Sequence, residues 1–287
     1  MKKIISVLVL LGGIFLLGGC FDSNKLENAT IYTTVYPVQY LVERLYGNHA
    51  TVNSIYPDGA KLSEYTLTDK QIKTYSKADI LVYNGLTEEK QISKQFINEN
   101  KNIKIIDVAY GLKYYESQEE LWLSPNNYLM LANNIKTNLI TLVNNKYAQT
   151  EIQQKYDELE EELSLMDAEL RNLGIQAKST NKETIVVSKN MFKYLENYGF
   201  KVISIEDAEK NETMDTIKKN FKNKTYKMLF ITNIEEETEY IKELKNQNLV
   251  YTVNSMETLS TENRNNNDNY MTITKDFINE LRNLILD

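Results

Sequence analysis

The chain is poor in the residues that most often carry chemistry. Its 287 residues include one Cys, one His and one Trp, with three Pro and ten Gly. One Cys excludes an internal disulfide framework and a Cys-based zinc site. One His excludes any site that needs two imidazoles, including the usual His-rich zinc sites. There is no P-loop, no Gly-rich dinucleotide fingerprint and no Gly-x-Ser-x-Gly, and the sole His has no motif partner. No activated nucleophile is visible, so the chain is not expected to be an enzyme. A net charge of −7 argues against nonspecific nucleic-acid binding. What remains is an ordinary soluble composition, 42% hydrophobic and 25% charged. The length fits one large domain or two of ordinary size.

The one Cys has a telling place. Lys2 and Lys3 precede an apolar run, Ile4–Leu17, which is short and Gly-interrupted for a membrane span. Gly18-Gly19-Cys20 follows. Small residues before a Cys, directly after an apolar run, resemble a bacterial lipobox, in which cleavage leaves a lipid-bearing Cys at the new N-terminus. Acyl chains bury about 0.8 kcal/mol per CH₂, so such a Cys anchors firmly. The alternative is a buried Cys inside an uncleaved signal anchor. Cleavage would leave 31 basic against 40 acidic residues, a charge of −9. Residues 1–19 are therefore expected to be a signal peptide and 20–30 a lipidated tether.

The rest alternates short β-branched runs with helical patterns, which predicts an α/β fold with mainly parallel sheets. Strands are expected at Ile31–Val35, Thr51–Tyr56, Asp79–Tyr83 and Ile103–Asp107, and again at Thr184–Val187, Lys201–Ile205, Met228–Ile231 and Val250–Val253. Helices are expected between them, including Lys70–Ser76 with a Thr68–Gln71 capping box and Met191–Tyr198. The clearest helical signal joins the halves: Ile152, Tyr156, Leu159, Leu163, Met166, Leu170 and Leu173 alternate steps of four and three. Thr150 with Gln153 reads as its capping box and Gly174 as its C-terminal stop. The stripe suits a long helix packed across both lobes; a dimerising coiled coil is the alternative. The expected divisions are an N-terminal lobe at 31–148, a linking helix at 149–174 and a C-terminal lobe at 175–287. The Asn-rich stretch Asn263–Asn269 reads as a polar loop.

Four motifs then make the sequence specific. They are Ile31–Arg44 (IYTTVYPVQYLVER), Tyr56-Pro57-Asp58-Gly59, Ala78-Asp79-Ile80-Leu81-Val82-Tyr83-Asn84-Gly85, and Leu121-Trp122-Leu123-Ser124-Pro125. In this order and spacing the chain resembles the metal-binding solute-binding lipoproteins of zinc/manganese ABC importers, once described as adhesins. The resemblance covers nearly all of the chain after the signal segment. It implies two (β/α)₄ lobes joined by one long rigid helix, an ABC permease as partner, a bacterial extracytoplasmic location on a lipid anchor, and a monomer that contacts no nucleic acid. Ser124 is placed to cap a helix whose N1 is Pro125. Trp122 reads as a packing residue or as a support of the cleft, with Glu64 a second support.

Family members hold Zn²⁺ or Mn²⁺ between the lobes, usually with three His and an acid. The resemblance maps those positions onto Ser63, Glu120, Lys189 and Asn254. A hydroxyl and an amide are weak ligands for Zn²⁺, and an ammonium has no free lone pair. His49 lies in a helix-to-strand turn, away from all four. The family's metal chemistry is therefore expected to be lost, leaving no metal or cofactor assigned. Three replacements are weighed: a Lys189–Glu120 ion pair across the lobes supported by Ser63 and Asn254, a different small polar ligand such as a zwitterion or anion, and a hard-cation site of Glu120, Glu64 and Asp58 oxygens. The main reading is a solute-binding lipoprotein of a metal ABC importer or a derivative with a degenerate site. The alternative is a metal-independent surface lipoprotein with an adhesive or scaffolding role.

Overall fold

Continuous β-branched runs become the central strands of two sheets. The computed structural model describes residues 26–210 and 213–286; the signal segment and Cys20 lie outside the described residues. In the first half the order is β1 (Ala29–Thr33), α1 (Tyr36–Tyr46), β2 (Ala50–Ser54), α2 (Asp69–Tyr75), β3 (Ile80–Tyr83), α3 (Glu89–Glu99) and β4 (Lys104–Asp107). These strands form a parallel sheet in the order β2-β1-β3-β4, with Ile31 opposite both Val52 and Ile80. All four residues of β3 are buried, as expected for a parallel strand covered on both faces.

Three helices lead to the second half: α4 (Glu120–Leu123), α5 (Pro125–Leu142) and α6 (Lys146–Ser179). The second half holds β5 (Thr184–Val187), a 3₁₀ helix (Asn190–Tyr198), β6 (Lys201–Ser204), α7 (Ile205–Lys210), α8 (Met214–Lys222), β7 (Leu229–Thr232), α9 (Glu239–Asn246), β8 (Val250–Val253), α10 (Thr261–Asn265) and α11 (Tyr270–Leu286). Its parallel sheet has the corresponding order, β6-β5-β7-β8. The expected α/β fold of two (β/α)₄ lobes joined by one long helix is present.

The joining helix is longer than its apolar stripe suggested. It runs 34 residues, about 51 Å at 1.5 Å per residue. The seven stripe residues are all buried, and they share one apolar core with both lobes. Its cap is Asn145, whose Oδ1 accepts from the Tyr147 N–H at 2.9 Å, so the Thr150–Gln153 box does not form. Gly174 does not end the helix. It lies buried inside α6, where a Cβ would sit 1.8 Å from the Tyr198 carbonyl oxygen. Glycine is needed there for close approach of two backbones rather than for a turn. Polar side chains on α6 tie it to each lobe in turn: Glu151 to His49 at 2.8 Å, Glu162 to Arg44, and Asp167 to the Tyr198 hydroxyl at 2.7 Å.

Other expectations are corrected at their edges. The expected tether, 20–30, overlaps the fold at its end: Leu26 is buried and β1 starts at Ala29, because that strand is central and pairs on both sides. Residues 190–198 form a 3₁₀ helix rather than an α-helix. Their buried residues recur every three positions (Phe192, Leu195, Tyr198; Met191, Tyr194), the spacing that eclipses side chains in a 3₁₀ turn. Ser124 precedes Pro125 as expected, but its hydroxyl makes no cap bond. The Asn-rich stretch is not one loop. Ser260 and Asn263 form the capping box of α10, and Asn269 accepts from the Met271 and Thr272 N–H groups at the start of α11. The Thr68–Gln71 capping box is present.

Candidate functional site

Each sheet order reverses between its two central strands, β1 and β3 in one lobe, β5 and β7 in the other. Parallel sheets place ligand crevices at the carboxyl ends of strands at such a reversal. Residues from outside each lobe help to line its crevice: Glu257 joins the first, and Glu116, Ser117 and Glu119 join the second. In the first, the Asn84 N–H just past β3 donates to Glu89 at 2.7 Å, and the Gly85 N–H donates to Asp107 at 2.9 Å. A Cβ on Gly85 would lie 2.0 Å from the Asp107 carboxylate, which is the physical reason for the Asn-Gly pair. In the second crevice, Glu235 accepts from the Thr232 N–H at the end of β7 and from the Ser188 hydroxyl just past β5.

The four mapped positions do not converge. Ser63 is exposed on the segment between β2 and α2 and lines a cavity of about 490 Å³ with Tyr56, Glu89, Gln118 and Glu257. Lys189 lines a different cavity, of about 680 Å³, with Glu116, Glu119, Ser188, Asn190 and Glu235. Glu120 is buried, and its carboxylate accepts from three successive backbone N–H groups: Tyr115 at 3.1 Å, Glu116 at 2.6 Å and Ser117 at 3.1 Å. Both of its oxygens are engaged in closing the 115–117 turn. Asn254 is equally occupied: its Oδ1 accepts from the Met256 N–H at 2.9 Å and its Nδ2 donates to Asn263 at 3.2 Å.

The expected Lys189–Glu120 ion pair is therefore absent, because Glu120 points into its own turn. The hard-cation arrangement also fails. Asp58 pairs with Arg264 at 3.0 Å, and exposed Glu64 pairs with Lys61 at 3.4 Å. Among the described residues no group of three His, Cys, Asp or Glu is placed to hold a metal. His49 stacks on Tyr46 and bonds Glu151, a structural role. Trp122 is buried, and its indole N–H donates to the Ser255 carbonyl at 2.7 Å, so it joins the lobes instead of facing a ligand.

Sequence reasoning missed three buried carboxyl groups: Glu89, Glu119 and Glu257. Burial, opposed by its hydrogen bonds to Thr34 and Asn84, pushes Glu89 up to about 7. Burial, then the hydrogen bond to the Glu119 side chain, pushes Glu257 up to about 8. A carboxylate has no donor, so this Glu–Glu contact requires a proton on one partner. Glu257 follows β8 and Glu119 precedes α4, which makes it a contact between lobes. Nothing in the sequence marks these residues, since each sits in an ordinary polar run. Further bonds close the same seam: the Tyr36 N–H to the Glu257 carbonyl at 2.9 Å, the Gly59 N–H to the Leu259 carbonyl at 2.9 Å, and the Thr258 hydroxyl to the Ala60 carbonyl at 3.0 Å.

Two parallel-sheet lobes joined by one long helix, each with a crevice at its strand ends, define a two-lobed architecture of the solute-binding type. The family described as zinc-uptake complex component A, periplasmic, matches residues 31–284, and the chain belongs to it. It is 26% identical over 218 residues to the manganese ABC transporter substrate-binding lipoprotein PsaA of Streptococcus anginosus, covering 68% of each chain. It is 21% identical over 261 residues to the metal ABC transporter substrate-binding lipoprotein SloC of Streptococcus mutans, covering 82% of this chain and 84% of SloC. The crystal structure of the metal-dependent lipoprotein YcdH from Bacillus subtilis shares the fold, with a TM-score of 0.73 at 18% identity over 89% of this chain and 98% of YcdH. The Zn(II)-bound ZnuA-like domain of Streptococcus pneumoniae AdcA does so at a TM-score of 0.71 and 20% identity, over 90% and 99%. Among the described residues no helix is long and apolar enough to cross a membrane.

Proposed function

We propose that this chain is the extracytoplasmic solute-binding component of an ABC importer of the metal-uptake family, one that does not hold its cargo by the family's four-ligand chemistry. It delivers cargo to a permease as a monomer, is anchored by lipid at Cys20, and catalyses no reaction. The observation that carries this reading is the commitment of Glu120. It is the one carboxylate among the mapped positions, and three backbone donors hold both of its oxygens in its own turn. The other three positions offer a hydroxyl, an ammonium and a turn-locked amide, a donor set unsuited to Zn²⁺. Elemental analysis of the purified chain, with calorimetric titration of Zn²⁺ and Mn²⁺, tests it. The expected result is substoichiometric metal and no saturable heat. One tightly bound metal ion per chain would overturn the loss of the family's metal mode.

A further inference from the structure

The cavity at the C-terminal lobe's strand reversal is lined by one ammonium, Lys189, and by five carboxyl groups, Glu116, Glu119, Glu206, Glu235 and Glu236; Lys189 and Glu235 do not meet. Lys189 is exposed on its wall, and its ammonium has no ion pair or hydrogen bond among the described residues. Glu235 lines the same cavity with no cationic partner among the described residues. One of its oxygens is held by Ser188 and Thr232, while the other accepts no bond. Opposite charges that share a cavity of about 680 Å³ without pairing leave a gap suited to a molecule carrying both complements.

A buried acceptor without a partner lies behind the wall. Asn190 is 8% exposed, and its Nδ2 is spent on Glu116 and Asp207, which fixes the amide; its Oδ1 has no partner. Met191, Ile205, Ile234 and Ile241 supply an apolar wall. Mixed walls of this kind, apolar with a few placed polar groups, are typical of small-molecule sites of this volume. Lys193 does not compete for the ligand, because it is paired with Glu116 at 3.1 Å and Asp207 at 2.7 Å.

We infer that this cavity binds a small zwitterion, an apolar α-amino acid or dipeptide, with its carboxylate on Lys189, its ammonium on Glu235 and its side chain on the Met191–Ile205–Ile241 wall. The inference rests on the solute-binding reading above and names the cargo class. Charge-assisted bonds at both ends supply orientation, and the apolar wall selects the side chain.

The test uses the full chain purified in detergent, with calorimetry and thermal shift for four probes: L-leucine, L-leucyl-L-leucine, 3-methylbutylamine and 4-methylpentanoate. Leucine or the dipeptide should bind saturably, and the two single-charge probes should bind at least tenfold more weakly. Lys189→Met and Glu235→Gln should each weaken the zwitterion at least tenfold, with Lys189→Arg restoring most of the loss. Lys189 is exposed, so its variants should fold even where Glu235→Gln disturbs the strand end. Equal binding by the amine and the zwitterion would overturn the role of Lys189 and with it the inference. Silence of all four probes, with metal also absent, would overturn the inference and leave the solute-binding reading intact. Tight Zn²⁺ or Mn²⁺ with no response to leucine or the dipeptide would overturn both.

Discussion

In the N-terminal lobe the Asn84 N–H past β3 donates to Glu89; in the C-terminal lobe the Thr232 N–H ending β7 donates to Glu235. Thr34 stands beside the first carboxyl, and Ser188 bonds the second. The same device is built twice, at the same place in two sheets of the same order. Solvation differs. Glu89 is 6% exposed and is held toward its neutral form, whereas Glu235 is part-exposed and lines the larger cavity beside an unpaired lysine. Equivalent backbone positions thus gain different chemistry from what packs over them. One carboxyl is enclosed in the N-terminal lobe, and the other stands part-exposed on an open cavity.

The largest way to break this comparison is to separate the lobes. Trp122→Ala removes a buried indole and the bond to Ser255 across the interface. It should cost about 3–5 kcal/mol in urea unfolding.

The same exchange in the two lobes should then act in opposite directions. Glu89 is raised to about 7 in the fold from an ordinary 4.5. Between those values the folded chain binds more protons than the unfolded one, so stability is full below pH 4.5 and falls as pH rises through 7. Glu257, raised to about 8, extends the decline to that pH. Glu89→Gln should recover about 2–3 kcal/mol at pH 8 and make the decline between pH 4.5 and 7 shallower, leaving the part that Glu257 contributes. Glu235→Gln should lose about 1–3 kcal/mol at the same pH, because it weakens two bonds to a charged acceptor. Urea midpoints across pH for both variants decide this; a gain in both would erase the distinction.

The smallest effect belongs to the seam's surface. Arg264→Met breaks the ion pair with Asp58, whose partners are 36% and 43% exposed. The loss should be about 1 kcal/mol or less. Small-angle scattering should show unchanged dimensions, since the Tyr36 and Gly59 backbone bonds remain.

Much of the frame was legible in the sequence. Strand runs such as Ile80–Tyr83 could be read because a doubly covered parallel strand is apolar throughout. The α6 stripe could be read because its period is helical and unbroken. Gly174 was misread because a helix stop and a close backbone crossing ask for the same residue, and only the position of Tyr198 tells them apart. The candidate site was legible only in part. Lys189 stands out by its type at a mapped position, but its opposite, Glu235, lies in the acidic run Glu235–Glu237, where nothing distinguishes it from its neighbours.

The sequence by itself determined the lobes, the linking helix and the absence of the family's ligand types, because periodicity and residue chemistry are local properties. Tertiary structure alone decided where each polar group spends its bonds. It gave Glu120 to its own turn, Asn254 to a loop and Glu257 to Glu119 across the seam. The physical reason is that a hydrogen bond or a buried proton depends on which distant atoms arrive beside a group, and no spacing along the chain records that arrival.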